Sequence, residues 1–257
     1  LKPSGVIAWR GTSWFDGAPI VAILTGLGSR SANSKTGAML QLWILHAEVA
    51  PLDAIRSGLD ASICGDCPHR RDASTGARSC YVNVGQAPRA VYAAYQRGRY
   101  PAVSVERLAE LCAGEKVRLG AYGDPAFLPA EILRACAAGA TLSTGYTHQW
   151  RDPRAVHARA HCMASADSSV DTARALADGW RVFEVAPAES RTVGSVVCPA
   201  SEEAGRRTTC ADCGLCGGLH ARGRAAGPSL VRVISIAPHG SGAKHARARF
   251  TSLTISV

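Results

Sequence analysis

Val117-Arg118-Leu119-Gly120-Ala121-Tyr122 followed by Gly123-Asp124-Pro125 reads as a strand that runs into a tight polar turn. The apolar run is extended, and the Gly and Pro punctuation stops it. Outward from this stretch the same unit recurs. A helix is expected over Ala130 to Ala138, a strand at Ala140 to Thr144, and the polar-aromatic loop Gly145-Tyr-Thr-His148-Gln-Trp150. Then come a helix near Pro153 to Ala160, a strand at Ala160 to Ala166, a helix from Val170 to Asp178 and a strand from Trp180 to Val185. On the N-terminal side, Arg89 to Gln96 places Val91, Tyr92 and Tyr95 on one helical face and is ended by Gly98, and a short helix spans Ser104 to Leu111. Strands alternating with helices at this spacing predict parallel βα units and an α/β fold. Function in such folds gathers in loops after the strands, where Tyr122-Gly123-Asp124, Tyr146-Thr147-His148 and Ser165-Ala166-Asp167 fall.

The ten cysteines are the second signal. Cys210-Ala-Asp-Cys213-Gly-Leu-Cys216 brings three thiols to one point, and Cys198-Pro199 adds a fourth. A C-x2-C-x2-C run is more typical of iron–sulfur clusters than of zinc, which usually takes two separated pairs; an iron–sulfur cluster is the favoured reading, zinc the second and disulfides the third. Cys64-Gly-Asp-Cys67-Pro-His69 and, after a twelve-residue loop-like gap, Cys80-Tyr81 form another group. With His69 as fourth ligand it would be a closed, structural site, as in a Cys3His zinc module. Without His69, three thiolates would hold a cluster with one position open. Cys112, Cys136 and Cys162 sit singly in apolar segments and read as core residues.

The order of a cysteine group ending at Cys80-Tyr81, then Tyr122-Gly123-Asp124-Pro125, Ser143-Thr144-Gly145 and Ser165-Ala166-Asp167-Ser168 resembles the partial (β/α) barrel of radical S-adenosylmethionine enzymes. The resemblance covers about Ile63 to Cys216. It implies a [4Fe–4S] cluster on Cys64, Cys67 and Cys80, with S-adenosylmethionine contacted by Tyr122, Gly123, Asp124 and Ser165. It also implies a second cluster on Cys198, Cys210, Cys213 and Cys216, and an electron donor. The family's usual spacing is C-x3-C-x2-C, where this chain has C-x2-C-x12-C. The chain also generally resembles uncharacterised proteins encoded by phages and plasmids.

Asp124, His148 and Asp167 are the candidate catalytic residues: Asp124 precedes a proline at a strand end, where a helix cap is its alternative role, and His148 could shuttle a proton or stack on a base. Glu184 either faces the interior or flanks the sheet. His157 and His161, four apart, are a weak ligand pair. Nearer the N-terminus, Ile20 to Leu24 and Met39 to Leu45 read as buried strands. The loop between them, with Ser31, Asn33, Ser34, Lys35 and Thr36, lacks the glycines and following helix of a P-loop; it reads as a solvated loop or as one that meets an anionic group.

A formal charge of +9 and a pI near 9.3 point to an anionic partner, a nucleotide or nucleic acid. No run of about eighteen apolar residues occurs, so no membrane association is expected, and reduced thiols suit a cytoplasmic location. A single domain is expected, with N-terminal strands over 1–62, βα units and metal loops over 63–216, and a basic tail over 217–257. In that tail Leu230 to Ile236 and Phe250 to Val257 read as the two arms of a C-terminal β-hairpin, whose loop carries Lys244, Arg247 and Arg249 toward nucleic acid. The competing function is a zinc-stabilised nucleic-acid-binding or nucleic-acid-modifying protein without redox chemistry; a non-catalytic interaction module is the third.

Overall fold

The computed structural model describes residues 3–30, 33–220 and 231–239, with the single positions 243 and 245. Ten strands, all among the described residues, form two five-stranded sheets. The first contains β1 (Gly5–Thr12), β2 (Pro19–Thr25), β3 (Leu40–His46), β4 (Lys116–Tyr122) and β5 (Leu142–Thr144), in that spatial order. β1, β2 and β3 are antiparallel, whereas β3, β4 and β5 run parallel. In the second sheet β6 (Tyr146–Thr147), β7 (Met163–Ala166), β8 (Val182–Val185), β10 (Val233–Ile236) and β9 (Val196–Val197) are parallel throughout.

Gly145 alone separates β5 from β6, so the parallel edge of one sheet passes directly into the edge of the other. A Cβ at this position would lie 2.6 Å from Cys162 Sγ, which is why only glycine fits the crossing. The α/β class and the parallel units are therefore present, and the strands read from Ile20, Met39 and Val117 correspond to β2, β3 and β4.

Burial explains the strand sequences. Val21, Ala22, Ile23 and Leu24 of β2 are all fully buried, as expected of a strand covered on both faces. Helices α1 (Pro51–Ser57), α2 (Ala61–Cys64) and α3 (Ala87–Gln96) lie between β3 and α4 (Val105–Cys112) in the chain; α5 (Ala130–Ala137) follows β4 and packs on α4. Cys112 and Cys136 are buried in these last two helices, and Cys162 is buried beside Gly145. Ser104 and Ser168 accept backbone N–H bonds from Arg107 and Asp171 and so cap α4 and α6 (Ser169–Ala177).

Three expectations change. Pro153–Ala160 winds as a 3-10 helix rather than an α-helix. The strand expected from Ala160 begins only at Met163, because that 3-10 helix continues to Ala160. Val233–Ile236 lies between β8 and β9, parallel to both, so it is an interior strand and not the arm of a hairpin; its flanks are occupied by Val182–Val185 and Val196–Val197. Phe250 to Val257, Lys244, Arg247 and Arg249 lie outside the described residues. Among the described residues no helix is long and apolar enough to cross a membrane.

Candidate functional site

The first thiol group is built by a folded loop. Cys64 ends α2, and Gly65, at φ +56°, turns the chain so closely that a Cβ would enter the Gln149 side-chain amide. Gln149 Nε2 donates to the Cys64 carbonyl at 3.0 Å. Arg70 staples the loop: it donates to buried Asp60 at 2.7 and 3.1 Å and to the Gly65 and Gly58 carbonyls. Residues 70–79 then turn on Asp72, whose carboxylate accepts from the Ser74 and Thr75 hydroxyls and backbones. That brings Cys80 N within 3.0 Å of the His69 carbonyl, so the long gap folds back and returns Cys80 to the group.

Loops after β4, β6 and β7 complete this surrounding. Asp124 is buried, and its two oxygens accept from Ala126 N at 3.0 Å and His148 N at 2.8 Å. Its carboxylate thus caps the short helix Pro125–Phe127 and holds the His148 backbone, with burial raising its pKa. His148 Nδ1 lies 3.4 Å from Cys67 Sγ, and its Nε2 lies 3.5 Å from Asp167 Oδ2. Burial draws the His148 pKa down, but Cys67 and Asp167 outweigh it and hold the ring well above its ordinary value.

His69 does not point at the thiols. Its Nδ1 meets Ser79 Oγ at 2.7 Å and its Nε2 meets Asp167 Oδ1 at 2.9 Å, so both ring nitrogens are engaged. Asp167 joins the two histidines; burial would raise its pKa, but hydrogen bonds from His148 and His69 hold it far below the usual carboxylate range. One buried polar atom at this group, Tyr122 Oη, lacks a hydrogen-bond partner among the described residues, and His148 Nε2 has only the long approach of Asp167 Oδ2. Burial pushes the Tyr122 hydroxyl well up, and the neighbouring Cys64 adds to it.

Of the residues assigned by resemblance to S-adenosylmethionine, Tyr122 borders the thiols. Gly123 has another reason to be glycine: at φ +77° a Cβ would lie 2.6 Å from the Ile44 carbonyl oxygen of β3. Ser165 is buried, and its carbonyl accepts from the Trp150 indole at 2.8 Å. Glu184 faces away from the site, bound to Thr172 of α6 and to Thr192. His157 bonds the Arg154 and Leu128 carbonyls, whereas His161 packs against His220, so the two do not form a ligand pair.

The second thiol group lies where β9 ends. Cys198 N donates to Ser235 O of β10 at 2.8 Å, and Cys216 O accepts from Gly145 N at 3.0 Å. Between them α7 (Cys210–Cys213) closes on Gly214 at φ +67°. Loop 33–37 grips this helix: Cys210 N and Ala211 N donate to the Lys35 and Thr36 carbonyls at 3.0 and 2.9 Å. The loop expected to be solvated or to meet an anionic group is therefore part of the thiol site.

None of the four cysteines is in a disulfide, and every pair among them is close enough to interact electrostatically. Burial first, with repulsion from neighbouring thiols adding to it, pushes Cys198, Cys210 and Cys216 up. Their neighbours include apolar Met163, Phe183 and Ile234, and among polar groups Lys35, Arg118, Arg181, Glu203 and the hydroxyl of Tyr146. Sequence reading assigned no role to Arg118, which borders this group, or to Tyr81 and His239, which meet Arg118 and Lys35; an arginine inside the apolar strand β4 was the available signal. Comparison with family models, curated proteins and solved structures finds no match.

Proposed function

We propose that the chain is an iron–sulfur enzyme of the radical S-adenosylmethionine type, its two sheets forming a partial barrel and its substrate a nucleotide or nucleic acid. The observation that carries this reading is the pairing of a four-thiol group with a three-thiol group whose border holds an unpartnered buried hydroxyl, Tyr122 Oη. Leaving such an atom buried costs about 1–3 kcal/mol, which a bound group would relieve.

Cys198, Cys210, Cys213 and Cys216 fit a closed cluster in number and chemistry. Among the described residues a group of three metal-binding side chains within 4.8 Å of one another is His69, His148 and Asp167. Cys64, Cys67 and Cys80 would hold the other cluster, with His69 held off by Ser79 and Asp167.

Cys64, Cys67 and Cys80 would hold a cluster whose chemistry, when bound, would be electron supply for the cleavage of S-adenosylmethionine. This chain's residues orient and insulate: Asp124 fixes the His148 loop, Asp167 fixes both histidine rings, and Tyr122 offers a hydroxyl. Protein purified without oxygen and reduced should consume S-adenosylmethionine, and Cys67→Ser should abolish that consumption; intact turnover in the variant would overturn the assignment.

One observation favours a second reading. His69 Nε2, His148 Nε2 and Asp167 form a compact donor set of the kind that holds a single divalent ion, and zinc there would make the chain a non-redox protein. Zinc retained in Cys67→Ser but lost in Asp167→Ala would support it.

A further inference from the structure

Between the two thiol groups runs a strip of side chains that neither group needs as ligands. Arg118 Nη2 of β4 donates to Tyr81 Oη at 3.3 Å. The Tyr81 ring stacks on His239, with centroids 5.8 Å apart and planes at 23°. His239 Nε2 in turn lies 2.8 Å from Lys35 Nζ. Four residues from distant parts of the chain thus form one contiguous surface.

No carboxylate joins the strip. All 20 carboxylate side chains of the protein lie within the described residues, and none pairs with Lys35 or Arg118. Glu202 and Glu203, the acids nearest His239, are committed to Arg206 and Arg191. Lys35 and Arg118 are both half-buried and close enough to repel each other. Half-buried cations in mutual repulsion are costly unless an anion joins them. Cys198, Cys210 and Cys216 act on Lys35 and Cys210 on Arg118, while the tyrosines that Arg118 also meets are neutral at neutral pH and leave it without a carboxylate partner.

The strip also presents a flat apolar face. Tyr81 is 49% exposed although it adjoins Cys80. An exposed aromatic ring beside an arginine fork is a combination that recognises a base and its phosphate together.

We infer that Lys35, Arg118, Tyr81 and His239 form a binding site for a nucleoside phosphate. The phosphate sits between the two cations and the base lies against the Tyr81 ring. The inference deepens the proposed function by naming the substrate class, and it rests on that reading for the chemistry that follows binding, though not for binding itself. The nucleotide is either free or one unit of a strand, since both carry the same recognised groups.

The test is calorimetric titration of the protein, purified without oxygen, with the four ribonucleoside 5′-monophosphates, their nucleosides, inorganic phosphate and a single-stranded oligonucleotide. At least one monophosphate should bind at least ~10-fold more tightly than its nucleoside, the charge-assisted phosphate contacts being the difference. Arg118→Gln and Tyr81→Ala should each weaken it ~10-fold with metal and sulfide content unchanged, and Arg118→Lys should recover part of the loss. Displacement of the monophosphate by the oligonucleotide assigns the site to a strand; no displacement assigns it to the free nucleotide. Absence of binding by every monophosphate and by the oligonucleotide would overturn the inference, as would wild-type affinity in Arg118→Gln and Tyr81→Ala. A zinc protein that still bound nucleotide through Arg118 would keep this site and end the iron–sulfur reading.

Discussion

Cys64, Cys67 and Cys80 sit among titratable groups, whereas Cys198, Cys210, Cys213 and Cys216 sit mostly among apolar ones. Around the three-thiol group lie His148, Asp167, His69 and Asp124, joined through hydrogen bonds from three separate strand ends. Around the four-thiol group lie Met163, Phe183 and Ile234, with Lys35 and Arg118 at one side. The contrast assigns different work to similar ligands. On the proposed reading, four thiols in a largely apolar nest would complete a metal's shell and serve stability, and three thiols beside titratable groups would leave room for chemistry.

The largest test of that contrast is removal of the four-thiol group's metal. Cys210→Ala should release that metal and lower the melting temperature on the order of 10 °C, because several kcal/mol of metal-linked stability disappear. Cys67→Ser should change melting much less. Equal effects in parallel thermal melts would erase the distinction.

Next in size is Asp60→Ala. It leaves Arg70 without its buried partner and should cost about 3 kcal/mol in denaturant unfolding. Metal should be lost selectively from the three-thiol group, since Arg70 holds the Gly65 carbonyl.

Asp124→Asn sharpens the comparison at smaller scale. An amide offers one acceptor where the carboxylate offers two, so either Ala126 N or His148 N loses its partner, at about 1–3 kcal/mol. Metal content at the four-thiol group should be untouched by elemental analysis.

The smallest effect concerns His161, which is 8% exposed. Burial, then His220, Arg134 and His157, lower its pKa to about 4. The folded state therefore binds fewer protons than the unfolded chain, whose histidine titrates near 6.5. Stability is complete above about pH 6.5 and falls as pH drops toward 4. Melting curves of His161→Gln should show a shallower decline over that window than the unaltered protein.

Much of the fold was legible because turn residues punctuate apolar runs: β2, β3, β4, α3, α4, α5 and α6 follow from glycine, proline and serine at their ends. β1 was not, since Trp9 and Arg10 interrupt its alternation, and β6 and β9 have two residues each, too few to show a period. Cysteine spacing made both thiol groups legible. It could not reveal that Ser79, His69, Asp167 and His148 meet, because those contacts join residues up to 98 positions apart through packing of separate loops. Asp124 was singled out for its place before Pro125, but the cap was visible in the same signal. The strip of Lys35, Arg118, Tyr81 and His239 depends on tertiary contacts spanning up to 204 positions.

Metal and acid-labile sulfide content, with an absorption spectrum, on protein purified without oxygen tests the central claim most directly. The account predicts a brown protein with about eight irons and eight sulfides per chain, the sum of two [4Fe–4S] clusters. Colourless protein carrying zinc and no sulfide would contradict it.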